Sequence, residues 1–307
     1  MPLTSTKEIL YKADREGYAV GAFNINNMET LIAIIEGAEE MNSPVIIEVS
    51  ESAIQYMGIE MVSSMVKTAA EKTRIPVALH LDHGKKWETI ICAIKNGFTS
   101  VMIDASDKPF QENLQITKKV VEVAHAAGIS VEAELGRLVG IEDNISVSKR
   151  EAFLVNPDEA KIFVEQSGID FLAPAIGTSH GAFKFKGESK LDFEKLKQVK
   201  ETTRIPLVLH GASSVNKNLL SEAKKWGLDL KGARGVEDET LIRAVKGGIN
   251  KVNTDTDLRI AFTTAVRKVI STEPSTFDPR KILGPAREAI KKTVKERIKV
   301  LGSYNKL

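Results

Sequence analysis

The sequence predicts an α/β chain folded as a (β/α)8 TIM barrel, and three observations carry that reading. Eight short segments rich in Val, Ile and Leu recur with little strict alternation, the pattern of strands buried on both faces. Longer segments with helical spacing lie between them. Several of these helices close on a glycine just before the next strand, at Gly97, Gly128, Gly168 and Gly248, where a left-handed residue ends a helix. The predicted strands are 18–24, 44–49, 76–81, 98–103, 129–134, 169–174, 205–210 and 249–253. Among the helices, 28–41 sets Met28, Leu31, Ile32, Ile35 and Ala38 on one stripe. Segment 58–72 does so with Met61, Val62, Met65, Val66 and Ala69, and 113–127 with Leu114, Val120, Val121 and Ala124. A doubly wound open sheet is less favoured, because no Gly-x-Gly-x-x-Gly follows the first strand.

Segment 136–157 is long, polar and weakly patterned, and reads as a mobile loop over the site after strand five. Segment 216–245 enlarges the connection between strands seven and eight, with a glycine-rich, irregular middle at 230–236. A basic helical tail follows over 282–301, its Lys-rich face expected in solvent. The reading is one barrel domain over 1–307 with a tail from about 281 to 307.

A chain of 307 residues with 42% hydrophobic and 27% charged residues has the composition of a soluble globular protein with an ample core. The net charge of +2 gives no reason to expect nucleic acid as a partner. Cys92 is the single cysteine, so no intrachain disulfide exists. No basic-then-apolar leader and no membrane-length apolar run is seen, so a cytoplasmic location is expected.

The chemistry gathers at strand ends. His83, His180 and His210, of only five histidines, each follow a predicted strand and precede Gly84, Gly181 or Gly211. Imidazoles are the common ligands of zinc-like metals, and a catalytic zinc takes three protein ligands with one position open. Ser50, Asp82, Asp104, Glu134 and Asn253 also stand at C-terminal strand ends, the face where such barrels place active sites. Asp82 beside His83 would put a proton carrier next to a Lewis acid, with the turn at Gly84 bringing both to the mouth. The plain structural alternative is a hydrogen-bonded barrel-end histidine with a capping aspartate. Asp104 and Glu134 fit a second cation, support of a histidine ligand, or a structural salt bridge. His80 fits a supporting role, and His125, in a helix, a structural one.

Gly177-Thr178-Ser179-His180-Gly181 and His210-Gly211-Ala212-Ser213-Ser214 set histidines beside accessible backbone amides suited to oxyanions. Thr254, Asp255 or Thr256 is expected to cap the helix after strand eight, whose N-terminus favours phosphate. The Asn253–Asp257 run is no EF-hand, because Leu258 and Thr264 occupy the required Gly and Glu positions. Lys184, Lys251, Arg259 and Arg280 are the cations expected to meet phosphate.

These residues resemble the class II fructose-1,6-bisphosphate aldolases, metal-dependent TIM-barrel lyases. The resemblance rests on Val77 to Gly84, on Val131 to Gly136 continuing to Gly140 and Glu142, on Gly177 to Gly181, on His210 to Ser213 and on Asn253 to Thr256. It implies reversible cleavage of fructose 1,6-bisphosphate to dihydroxyacetone phosphate and glyceraldehyde 3-phosphate. His83, His180 and His210 would hold zinc, or cobalt in its place. Asp104 and Glu134 would touch a second or alternative metal position, and a second divalent or a monovalent cation (Na+ or K+) is allowed. Asp82 would carry the proton, with Glu142 as second acid/base. Gly181, Gly211, Ala212, Ser213 and Asn253 to Thr256 would hold the dihydroxyacetone phosphate half. Ser50, Arg259 and Arg280, the last from a neighbouring subunit, would hold the other phosphate. The resemblance implies a homodimer or homotetramer. Val139 departs from the family's usual Gly or Met. Open alternatives are a tagatose-1,6-bisphosphate aldolase, a Schiff-base aldolase using Lys251, a metal-dependent amidohydrolase and a non-catalytic binding protein.

Overall fold

The computed structural model describes residues 3–136, 154–178 and 191–307 in full, and the backbone alone of 139–142, 145–147, 179 and 180. The described strands are β1 Val20–Asn24, β2 Val45–Ser50, β3 Val77–Gly84, β4 Ser100–Ile103, β5 Ser130–Leu135, β6 Val139–Glu142, β7 Ile145–Val147, β8 Phe171–Pro174, β9 Ser179–His180, β10 Leu207–Leu209 and β11 Ile249–Thr254. The described helices are α1 Thr6–Glu16, α2 Met28–Glu40, α3 Glu51–Met57, α4 Ile59–Lys72, α5 Trp87–Lys95, α6 Phe110–Ala126, α7 Pro157–Ser167, α8 Phe193–Thr203, α9 Lys217–Lys225, α10 Asp238–Lys246, α11 Thr256–Thr272 and α12 Pro279–Leu301.

Eight strands close in the order β1-β2-β3-β4-β5-β8-β10-β11, every neighbouring pair parallel. Each corresponds to one of the predicted strand segments. Gly97, Gly128, Gly168 and Gly248 all have positive φ, as expected of helix-ending glycines. Asn27 caps α2 by accepting the Thr30 amide, and α7 opens with Asn156 as cap and Pro157 in its first turn.

On the helix-facing side of β2 and β3, Val45, Ile47, Val49, Val77, Leu79 and Leu81 share a continuous core with helical residues such as Leu31, Ile34 and Val62. Each fully buried side chain of this kind contributes roughly 1.5–3 kcal/mol. A second cluster joins Val20, Ala22, Ile46, Ala78, Phe171 and Val208 to Leu10 and Ala13 of α1, which plugs the N-terminal end of the barrel. Further up the lumen the filling turns polar. Glu48, His80, Glu132 and Lys251 are all fully buried there. The strands therefore do alternate, apolar toward the helices and increasingly polar toward the mouth.

The polar segment after β5 holds more structure than a plain loop. Within it β6 and β7 form a hairpin, and β6 also pairs in parallel with β9. The seventh connection is enlarged with an irregular middle, as expected, and the structure adds two short helices around it, α9 and α10. The tail helix α12 starts at Pro279, slightly before the predicted boundary, and its lysines are not simply solvated. Lys291 and Lys295 pair with Glu36 and Glu40 of α2, and Ile290, Val294 and Ile298 are buried.

Candidate metal and active site

Asp82 and His83 are adjacent in an extended strand, yet both face the barrel mouth. The expected device was a turn at Gly84, but the reversal lies one residue earlier. His83 itself adopts a left-handed conformation, φ 48°, where the β3–β4 register shifts between Leu81 and Gly84. A non-glycine residue held there costs of order 1–3 kcal/mol, and such strain is typically kept at functional sites. The result places His83 Nε2 3.9 Å from Asp82 Oδ1. The side-chain amides of Asn24 and Asn253 donate to the two Asp82 oxygens at 2.9 and 3.2 Å, fixing the carboxylate.

His210, just past β10, meets His83 edge-on, with ring centroids 4.6 Å apart. His83 Nδ1 lies 2.9 Å from Asp104 Oδ2, and His210 Nε2 lies 2.6 Å from Glu132 Oε1. A carboxylate only accepts, so each ring places its outer N–H on a carboxylate and turns a lone pair inward. The inward atoms, His83 Nε2 and His210 Nδ1, are 2.8 Å apart. Two lone pairs at that distance repel unless a proton or a cation lies with them. This donor set fits a divalent metal, with carboxylates orienting the ligand rings. Burial pushes His83 down, but the Asp82 and Asp104 carboxylates more than offset it and hold the imidazole well above its usual range. Burial keeps His210 below it.

Asp104 accepts from His83, from the Ser106 amide and from the Ser106 hydroxyl. Burial raises its carboxyl, but those bonds leave it far below the usual range. Glu134 lies 3.8 Å from His210 Nδ1, and its buried Oε2 has no hydrogen-bond partner among the described residues. Burial, then the neighbouring Asp104 charge, hold its carboxyl well above the ordinary value. His83, Asp104 and Glu134 form a second group with metal-ligand proximity, beside Asp82, His83 and His210.

Glu132 is one residue that sequence reasoning missed. It carries His210 on one oxygen and Lys251 Nζ on the other, at 2.8 Å, and Lys251 also meets Glu48 at 2.6 Å. The signal was its place two residues before Glu134, which puts both on the lumen side of β5. Lys251 is fully buried between the Glu132 and Glu48 carboxylates, a poor setting for a Schiff-base nucleophile, which must be neutral to attack. Burial alone would lower it, but Glu132 and Glu48 raise it above the ordinary lysine range. His80 supports the cluster as expected, with Nδ1 2.7 Å from Ser100 Oγ and Nε2 3.5 Å from Glu132. His125 pairs with Asp170 far from the mouth, a structural role.

The loop after β10 offers oxyanion donors. Gly211, Ala212 and Ser213 are buried, and none of their amides takes part in a hydrogen bond among the described residues. The next two amides are occupied, because Asp257 accepts from Ser214 N and Val215 N at 2.8 and 2.6 Å. Asp257 was not anticipated. Gly235 presses against this loop so closely that a Cβ there would lie 2.1 Å from the Ser213 carbonyl oxygen.

Asn253 and Thr254 are buried at the end of β11, and Thr256 opens α11. The expected cap is not made: Asp255 stands at the N-cap position without a capping bond. Its carboxylate instead binds Arg259 at 2.7 and 2.8 Å, while its amide donates to Ser213 Oγ. Ser50 registers with Asp82 and caps α3 through Ala53 N. Arg280 is not brought to this mouth within the chain. It is 90% exposed and folds onto Asp278 at the start of α12. Gly181 and Lys184 lie outside the described residues. His180 and Glu142 are described by backbone only, on β9 and β6, with His180 in register with Gly140.

The class-II fructose-bisphosphate aldolase family model matches residues 4–306. A fructose-bisphosphate aldolase of Helicobacter pylori (strain ATCC 700392 / 26695) is 61% identical over 306 residues, covering 99% of this chain and all of the relative. One of Thermus caldophilus is 51% identical, covering 99% of each chain. Among solved structures, the YdjI aldolase of Escherichia coli K12 superposes with a TM-score of 0.82 at 34% identity over 99% of each chain. With a barrel of this topology and imidazoles converging among carboxylates at its mouth, the chain belongs to the class II fructose-bisphosphate aldolase family.

Proposed function

We propose that this class II fructose-bisphosphate aldolase, a lyase, works with a zinc ion held by His83, His210 and His180. The observation that carries this is the pair of inward nitrogens, His83 Nε2 and His210 Nδ1, 2.8 Å apart, each ring's outer N–H engaged by a carboxylate. A bound divalent metal supplies Lewis acidity at the ketose carbonyl and its neighbouring hydroxyl. Asp82, steadied by Asn24 and Asn253, takes the C4 hydroxyl proton as the C3–C4 bond breaks. Glu142 returns a proton to C3 of the dihydroxyacetone phosphate half. The amides of Gly211, Ala212 and Ser213, with Gly181 and the Asn253–Thr256 turn, receive one phosphate. Ser50, Lys184, Arg259 and a neighbouring subunit's Arg280 receive the other. Asp104 and Glu134 offer a second cation position. The unit of function is one barrel domain over 1–307, assembled as a homodimer or homotetramer and working in the cytoplasm in glycolysis and gluconeogenesis. No described helix is long and apolar enough to cross a membrane.

The test is fructose 1,6-bisphosphate cleavage before and after EDTA, with zinc or cobalt add-back and metal analysis. Loss on chelation with recovery on add-back is expected. Borohydride added with substrate is expected to trap no adduct at Lys251. Full turnover of a metal-free sample, or a reduced adduct on Lys251, would overturn the reading.

A further inference from the structure

A cleft of about 350 Å³ lies between α9, α11 and α12, behind the loop that follows β10. That volume is in the range of small-molecule sites. Small side chains leave the space, with Ala261 and Ala265 on α11 and Ala289 on α12 among its walls. Thr264 also lines it. Its Oγ1 is buried and has no hydrogen-bond partner among the described residues, and the residue is only 5% exposed. A buried hydroxyl without a partner is rare and calls for one.

The charges around the cleft are unequally engaged. Lys268 and Lys292 line it, and neither has an ion-pair partner among the described residues, whereas Lys291 and Lys295 on the same α12 are paired with carboxylates. Of the acids there, Asp257 is taken by two backbone amides and Glu222 by the Trp226 indole N–H at 2.7 Å. Glu296 remains as an acceptor with no ion-pair partner among the described residues. Two lysines without ion-pair partners among the described residues, Lys268 resting 5.9 Å over the Trp226 ring, together with one carboxylate acceptor and one buried hydroxyl, suit a ligand that carries both an oxyanion and hydroxyl groups.

We infer that this cleft binds a small phosphorylated polyol, separately from the barrel mouth, and that the mouth senses its occupancy. The connection is physical. Asp257 lines the cleft and holds the Ser214 and Val215 amides. Arg297 also lines it and grips Asp238 at 2.6 and 3.0 Å, and Asp238 accepts the Ser214 hydroxyl. Both cleft residues therefore hold Ser214 and Val215, which directly follow the 211–213 segment proposed to take a phosphate. A ligand that shifts either changes affinity at the loop, and by linkage the reverse holds.

Glycerol 3-phosphate is the probe, since it has no carbonyl to cleave. Calorimetric titration of the metal-loaded enzyme is expected to show two classes of site per chain. In Lys268→Gln/Lys292→Gln one class remains and the other weakens roughly tenfold or more, with basal cleavage unchanged. Thr264→Val weakens the same class. In kinetics, the probe lowers kcat and raises KM in the parent but only raises KM in the double variant. A single class in the parent, or two undiminished classes in the double variant, overturns the site. Inorganic phosphate binding the second class as tightly as glycerol 3-phosphate overturns the polyol assignment.

Discussion

Glu132→Gln isolates what holds the histidines in place. The native carboxylate accepts two donors, His210 Nε2 at 2.6 Å and Lys251 Nζ at 2.8 Å. Glutamine keeps the shape but has one acceptor oxygen, so its NH2 group must face one of the two donors. If it faces His210, the imidazole proton moves to Nδ1 and the inward lone pair is lost. Removing an orienting partner of this kind typically weakens metal binding by roughly 10–100-fold, about 1.4–2.7 kcal/mol. If it faces Lys251, a buried ammonium retains only Glu48, at 2.6 Å. Breaking a buried pair costs about 3–5 kcal/mol, and the surviving Glu48 contact places the loss toward the lower end. Metal affinity is read by competition with a chelator, and stability by urea unfolding of the metal-free protein. Adding Lys251→Met removes the competing donor and lets the glutamine oxygen face His210, so metal affinity recovers, while Glu48 loses its buried cation and stability does not. A Glu132→Gln protein with parental metal affinity and parental stability would refute the reasoning.

Three further outcomes follow from the geometry. Asp82→Asn keeps its metal, since the amide disturbs neither ring partner, and loses roughly 10²–10⁴-fold in kcat; metal analysis beside turnover checks it, and near-parental kcat removes Asp82 as the proton carrier. Gly235→Ala drives a methyl into the Ser213 and Ser214 carbonyl oxygens, at 2.1 and 2.3 Å. That substitution destabilises by about 1–3 kcal/mol and raises KM through the displaced loop, and unchanged KM with unchanged stability would show that the loop yields freely. Asp238 bears on acid stability. Burial raises its carboxyl, but the Arg297 guanidinium more than compensates and leaves it below the usual range. A depressed carboxyl stabilises the fold above its unfolded value, about 3.9, and that contribution is lost as pH falls through the folded value. Asp238→Asn is therefore less stable near neutrality and has a shallower acid limb below about pH 4; parallel stability–pH curves for the two proteins would contradict this.

Much of the site was legible because a barrel collects its chemistry at one end of every strand. His83, His210, Asp82, Asp104, Glu134 and Asn253 all stand at strand ends in the sequence, and the structure gathers them. Asn24 obeys the same rule at the end of β1 and was passed over. Glu132 was hidden because it lies one lumen layer deeper, where a charged residue is tolerable only through partners just past β10 and on β11 that are distant in sequence. Asp257 was read only as part of a polar run, since its two amide partners lie about forty residues away in the chain.

The sequence by itself determined the strand and helix segments, their alternation and the strand-end histidines. Those features are written in local periodicity, glycine placement and residue type, which act over a few neighbours. The tertiary structure decided which atoms of those residues can work. It kinked β3 at His83 rather than Gly84, committed the outer nitrogens of His83 and His210 to Asp104 and Glu132, and locked Lys251 as a cation between two carboxylates. Tautomer, protonation and ligand direction depend on groups within a few ångströms, and only the closed barrel brings those groups together.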